Sequence, residues 1–271
     1  MERLTYTPNN GNAISLEGPF IWCGAAEDIR SHEWDYATRR RTVYGMGVSV
    51  SKRTIEYTAD YESANMLRNA ADSDLAAETP GMLSLDGWKQ RCYIVKNDVK
   101  DVHGGRIGGK LTLVLLDGFW WRERSRHFVS GTGSGGIDYE HDYEHDLGFS
   151  SGRGVVEVGS VLPSPIKIIY YGPCVNPRVT IADNGYQVDE NIPSGSTVTI
   201  DALSSSPTVI LRDQYGNEQS IFAKAVRDGG QGGGTYAFEK LKSGEHVVIW
   251  PGTFAFDVIW REQETEPTWI L

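Results

Sequence analysis

The sequence predicts an all-β chain in two domains, with one helix in the first. Three observations carry that prediction. Short runs of β-branched and aromatic residues recur along the chain, separated by Gly, Asn and Asp turns. Only one long stretch, between Asp60 and Pro80, holds a helical period. The 31 glycines against 11 prolines in 271 residues make turns frequent without any collagen-like or Pro-rich repeat.

The first elements form a hairpin. Runs at 4–7 and 13–16 flank Asn9-Asn10-Gly11-Asn12, a sequence that tolerates the left-handed backbone of a tight turn. Residues 48–57 follow as a long strand rich in β-branched side chains. Asp60 then caps the helix, in which Ala64, Leu67, Ala71 and Leu75 recur every three or four residues. Pro80-Gly81 stops it. Tyr93-Ile94-Val95 and 111–116 are short apolar strands, the second closed by Asp117-Gly118. Further strands are expected at 166–171, 178–181, 197–200, 209–211 and 246–250. Phe254, Phe256, Val258 and Trp260 alternate strictly, which puts one strand face on a core and Asp257 on the other side. Many short strands at this spacing indicate sandwiches or barrels.

Between 131 and 153 the composition becomes glycine-rich and acidic. That change marks a linker between a first domain at 1–130 and a second at 154–271. A second glycine cluster at 228–234 reads as a hairpin loop within the second domain.

Charge and cysteine content exclude several classes. Lys plus Arg is 26 against 36 Asp plus Glu, a net charge of -10, so the chain is not built to coat nucleic acid. No apolar run approaches the roughly 20 residues of a membrane span, and the first 16 residues do not read as a secretory signal. Cys23, Cys92 and Cys174 are far apart and odd in number, which points to reduced thiols rather than a disulfide or zinc framework.

The candidate chemistry is sparse. Asp138-Tyr139-Glu140-His141 repeats at once as Asp142-Tyr143-Glu144-His145, followed by Asp146. Two histidines among five carboxylates are metal-ligand types. In an extended segment, however, residues four apart lie roughly 13 Å from one another. The tandem therefore reads as a linker or pairing surface, with Tyr139 and Tyr143 on one face. Gly131, Gly133 and Gly136 match a dinucleotide fingerprint in letters only, because no helix opens after them. Arg39-Arg40-Arg41 is a local cationic cluster suited to an acidic neighbour in an assembly. Trp250 and Trp260 are candidate platforms for a sugar, with core packing as the competing reading. No nucleophile elbow, phosphate loop or zinc-protease helix is present, and no acid pair stands out for glycoside hydrolysis.

Taken in order, these features resemble the distal tail (Dit-like) proteins of siphophage and prophage tails. The opening Leu4-Thr5-Tyr6-Thr7-Pro8-Asn9 with Pro19-Phe20 is similar to that family's first hairpin. Leu111 to Asp117 followed by Phe119-Trp120-Trp121 is similar to its domain-ending strand. The tandem resembles a tyrosine- and aspartate-rich linker in which prolines often stand where this chain has Glu140-His141 and Glu144-His145. Tyr171-Gly172-Pro173-Cys174-Val175-Asn176-Pro177 and Ser194-Gly195-Ser196-Thr197 resemble the second domain.

The resemblance implies a tube-like β-barrel or sandwich first, then a galectin-like or jelly-roll β-sandwich. It implies a structural protein of the virion tail tip, made in the host cytoplasm, with no catalytic residue, cofactor or membrane. Six copies would form a ring that joins the tail tube protein to the tail-tip hub and lines the channel DNA passes through. The expected contact residues are the Arg39, Arg40 and Arg41 strand, the exposed edge carrying Val48 and Val50, and linker residues Tyr139 and Tyr143. The alternative is a carbohydrate-binding module that engages host cell-wall polysaccharide through Trp250 and Trp260.

Overall fold

A computed structural model of the chain describes residues 4–24, 27–32, 34–47, 49–131, 152–204 and 206–268. The chain forms two compact units, one of Met1–Arg122 with Gln263–Leu271 and one of Glu123–Glu262. The sequence expectation gave the C-terminal end to the second domain. It packs with the first unit instead, where the Pro267 carbonyl accepts from Arg30 Nη1 at 2.7 Å.

In the first unit the strands are β1 (Leu4–Thr7), β2 (Ile14–Ser15), β3 (Ile21–Gly24), β4 (Asp35–Arg39), β5 (Thr42–Gly47), β6 (Ser51–Asp60), β7 (Gly81–Leu85), β8 (Trp88–His103), β9 (Arg106–Leu115) and the start of β10 (Trp120–Phe128). One antiparallel ladder runs β3-β6-β9-β8-β7-β1-β2. Its two end strands are tied to each other just past β2. Cys23 N–H donates to the Leu16 carbonyl and Gly18 N–H to the Ile21 carbonyl, both at 2.7 Å. A short helix α1 (Glu27–Arg30) precedes β4.

Helix α2 (Tyr61–Ala76) lies where the periodicity placed it. The Asp60 carboxylate accepts from Ser63 N–H at 2.7 Å, satisfying one of the free amides of the first turn. Ala64, Leu67 and Ala71 are buried, as their spacing requires. The fourth buried position is Asp74, not Leu75, which is exposed. Asp74 enters the core because the Tyr6 hydroxyl donates to its Oδ2 and the Asn9 N–H to its Oδ1, the latter at 2.9 Å. Gly81 permits that approach, since a Cβ there would stand 2.6 Å from the Tyr6 hydroxyl oxygen and from Asp74 Oδ2.

β8 is much longer than its apolar part. It continues through the polar stretch 96–103, which carries no alternation to read, because β9 pairs with it as far as His103↔Arg106. Two register shifts, at Ile94/Lys96 and Val99/Asp101, bend the strand.

The second unit is a β-sandwich. One sheet orders β19 (Glu218–Ser220), β18 (Thr208–Arg212), β17 (Thr197–Asp201), β12 (Ile166–Tyr171) and β23 (Phe256–Glu264). The other orders β11 (Gly152–Val158), β22 (Gly244–Trp250), β14 (Arg178–Ile181) and β15 (Asn184–Gln187). Inward residues of both sheets form one core, including Ile168, Val198, Phe256 and Val258 from the first and Val156, Ile181 and Val248 from the second. Two smaller strand pairs belong to the unit: β13 (Cys174–Val175) pairs with β16 (Asn191–Ile192), and β20 (Arg227–Asp228) with β21 (Thr235–Tyr236). The last pair flanks the glycine cluster at 228–234 expected to be a hairpin loop.

The thiols are free and mostly buried. Burial pushes Cys23 and Cys92 up to about 12. An unfolded thiol ionises near 8.5–9, so the denatured chain loses protons that the folded chain keeps. Stability from these groups is complete below about pH 9 and falls as pH rises toward 12, by roughly 1.4 kcal/mol per thiol per unit. Urea unfolding of the first unit at pH 7.5 and pH 10 should show a lower midpoint at pH 10. A midpoint that holds steady would contradict the burial of both thiols.

Candidate assembly surface

β4 and β5 form a hairpin that pairs with no other strand among the described residues. Its register runs Ala37↔Tyr44, Thr38↔Val43 and Arg39↔Thr42, with a shift between Asp35 and Ala37. Every residue of β4 is exposed. The sequence expectation made 39–41 a strand; instead Arg39 ends β4 and Arg40 turns with φ 58°. Three guanidinium groups are thus gathered at a hairpin tip, where a strand would have spread them along an edge.

The hairpin carries apolar surface that none of the described residues covers. Tyr36 is 65% exposed, and Val43 and Tyr44 are about half exposed. A two-stranded hairpin by itself is marginal in water, and exposed aromatics beside arginines match the composition of protein interfaces. The arrangement therefore suits contact with another protein surface.

The expected open edge at 48–57 is only partly covered: β9 pairs with β6 along its whole length, while β3 pairs with its other side over 56–59 alone. Val50, just before β6, is exposed at 57%. Val48, Tyr139 and Tyr143, together with the rest of the acidic tandem, lie outside the described residues.

A second apolar exposure lies on the outer face of β3. Phe20 is exposed and Trp22 is 60% exposed, its ring lying over Gly24. Trp22 borders a groove with β6 and β9, in which Lys110 Nζ meets Glu56 Oε1 at 2.8 Å and holds that carboxyl below its usual range.

In the second unit, Trp250 and Trp260 are 8% and 6% exposed and belong to the core. Trp250 packs edge-on against Phe128 and Phe256, with centroids 5.3 Å away in each case. Neither indole presents a free face, so the sugar platform expected at these two residues is not formed. Trp260 falls on the buried side of β23, and Trp250 ends the apolar run 247–250 with Val248 buried beside it on the same strand face.

Asp257 does face away from the core. Its carboxylate accepts from the Tyr171 hydroxyl at 2.5 Å and contacts His127 Nδ1 at 2.5 Å. The hydrogen bond to Asp257, with partial burial, pushes Tyr171 up to about 12.

No protein-family model and no curated protein matches the chain. Solved structures do. The Dit protein of phage SPP1, described as a paradigm of the hub adsorption apparatus in phages infecting Gram-positive hosts, shares 9% identity at a TM-score of 0.57. That match covers 97% of this chain and 99% of the other. The phage P2 baseplate in its activated conformation with Ca matches at 11% identity and TM-score 0.59, over 98% of this chain and 100% of that one. The phage p2 baseplate structure with Sr matches at 7% and 0.61, again over 98% and 100%. The all-β, two-part fold of this chain is thus the fold found in phage tail-hub and baseplate proteins.

Proposed function

We propose that this chain is a structural component of a phage tail tip rather than an enzyme. Copies of it assemble into a ring between the tail tube and the tail-tip hub, with six copies closing the ring around the DNA path. The observation that carries this reading is the end-to-end fold likeness to hub and baseplate proteins, which spans both units and leaves almost no residue of either chain over. The uncovered β4–β5 hairpin supports it, because a repeated interface gives the hairpin a place to pack. The net charge of -10 suits a channel from which DNA must slide freely, since like charge discourages adhesion.

Light scattering of the purified full chain should give a particle of six times the 30.0 kDa chain mass. Immunogold labelling of purified virions should decorate the tail tip. A chain that stays monomeric at high concentration, with no label at the tip, would defeat the reading.

A further inference from the structure

The first unit holds a cavity of about 280 Å³ at the root of the β4–β5 hairpin, where Asp35 and Val50 form part of its wall. Two buried polar atoms in that wall have no hydrogen-bond partner among the described residues. Gln90 is 2% exposed and its Oε1 accepts nothing. Arg53 donates through Nη2 to the Ser31 carbonyl at 2.7 Å, while its Nε has no acceptor. Leaving such a group unpaired is costly, and native structures carry few of them.

The pair specifies what fits. One atom requires an N–H or O–H donor, the other an acceptor, and a peptide group offers both. Lys52 stands exposed at the same wall. Among the described wall residues, it and Arg53 outweigh the Asp35 carboxylate, and His32 is turned toward Glu266 at 3.9 Å. The local charge therefore favours an acidic peptide, and the Arg39–Arg41 tip extends the same sign along the hairpin that starts at Asp35. The volume far exceeds that of a single-water hole.

We infer that this cavity is a docking site for an acidic peptide, and that its occupant is the 138–146 stretch of a second copy of this chain. That stretch places five carboxylates in nine residues of an otherwise ordinary sequence. Opposite charge on two segments of one chain lets neighbouring copies recognise each other through the cavity. Only the identity of the donor copy rests on the ring reading; the binding itself does not.

The test uses the full chain with 138–146 replaced by a Gly-Ser run of equal length, and a labelled synthetic peptide of the 138–146 sequence, followed by fluorescence anisotropy at low salt. Saturable binding is expected. Lys52→Ala with Arg53→Ala should weaken it at least 10-fold, and Gln90→Leu, which keeps the side-chain volume, about 5-fold. A peptide with Asn and Gln at the acidic positions should bind at least 10-fold more weakly. Circular dichroism melts check each variant, and Lys52→Ala alone, at an exposed position, keeps the test valid if Gln90→Leu unfolds. Absent binding, binding indifferent to these substitutions, or equal binding of the neutral peptide overturns the site. Displacement by inorganic phosphate at matching concentration overturns the peptide assignment in favour of a general anion site. A photocrosslinker at Val50 in mixed isotope-labelled and unlabelled wild-type chains should link different copies at 138–146. Links confined to one copy overturn the second-copy assignment, whatever the particle mass proves to be.

Discussion

Replacing Tyr36 and Tyr44 together by serine should raise the concentration needed for ring assembly at least 100-fold while leaving thermal unfolding of the monomer almost unchanged. The two expectations separate because both side chains are exposed in the chain itself. Truncating an exposed side chain away from caps and buried networks changes stability by about 0.5 kcal/mol or less. At an interface the same rings would be anchors, and buried aromatic anchors typically cost about 2 kcal/mol or more each when removed. A 100-fold shift corresponds to about 2.7 kcal/mol per contact, so two anchors suffice. Dilution series by light scattering, paired with a melting curve, measure both quantities. Unchanged assembly would remove the hairpin from the interface and leave the Phe20 and Trp22 surface as the candidate.

Asp74→Ala should destabilise the first unit by about 3 kcal/mol. The carboxylate is buried and joins three segments: it sits on α2, accepts the Tyr6 hydroxyl from β1, and accepts the Asn9 N–H from the β1–β2 turn. Removing it leaves a buried hydroxyl and a backbone amide without an acceptor, each costing about 1–3 kcal/mol. Tyr6→Phe removes the donor and keeps the ring, and Asp74 still holds Asn9, so the expected loss is only about 1 kcal/mol. The double variant should be less destabilised than the sum of the two, because the residues share one bond. Urea unfolding of the three variants measures the coupling. Additive losses would show that Tyr6 and Asp74 act independently.

These two cases also separate what can be read from residue order from what cannot. The helix was legible from Asp60, Ala64, Leu67 and Ala71, because capping and amphipathic spacing are local properties. Asp74 was not. Leu75 fits the apolar stripe better, and only the arrival of Tyr6, 68 positions earlier in the chain, makes the acidic neighbour the buried one. The alternating Phe254–Trp260 stretch showed which face of β23 is covered. It did not decide whether Trp260 on that face meets a core or a ligand, since an alternation is the same in both, and it says nothing of Trp250, which lies on β22.

Gln90 illustrates the limit most clearly. It stands between Lys89 and Arg91 in a run that looks like any solvated strand. Its burial follows from the pairing of β8 with β7, where it faces Leu83, and from the cavity wall that Ser51 and Leu115 share with it. No local signal marks such a residue, because an unpartnered acceptor is defined by what surrounds it. The same holds for β6. Its β-branched run announced a strand, but how much of that strand formed an edge depended on β3 folding back onto it.

Residue order alone determined the predominantly β class, the long helix with its cap, the hairpin turns and the acidic balance of the chain. Each of these arises from interactions within a few positions or from composition. The tertiary structure alone decided how much of β6 is covered, which indoles are buried, that the arginines sit at a tip, and that an unpartnered amide oxygen lines a cavity. Those outcomes depend on segments tens to hundreds of residues apart meeting in space, and pairing between distant strands leaves no trace in either strand taken singly.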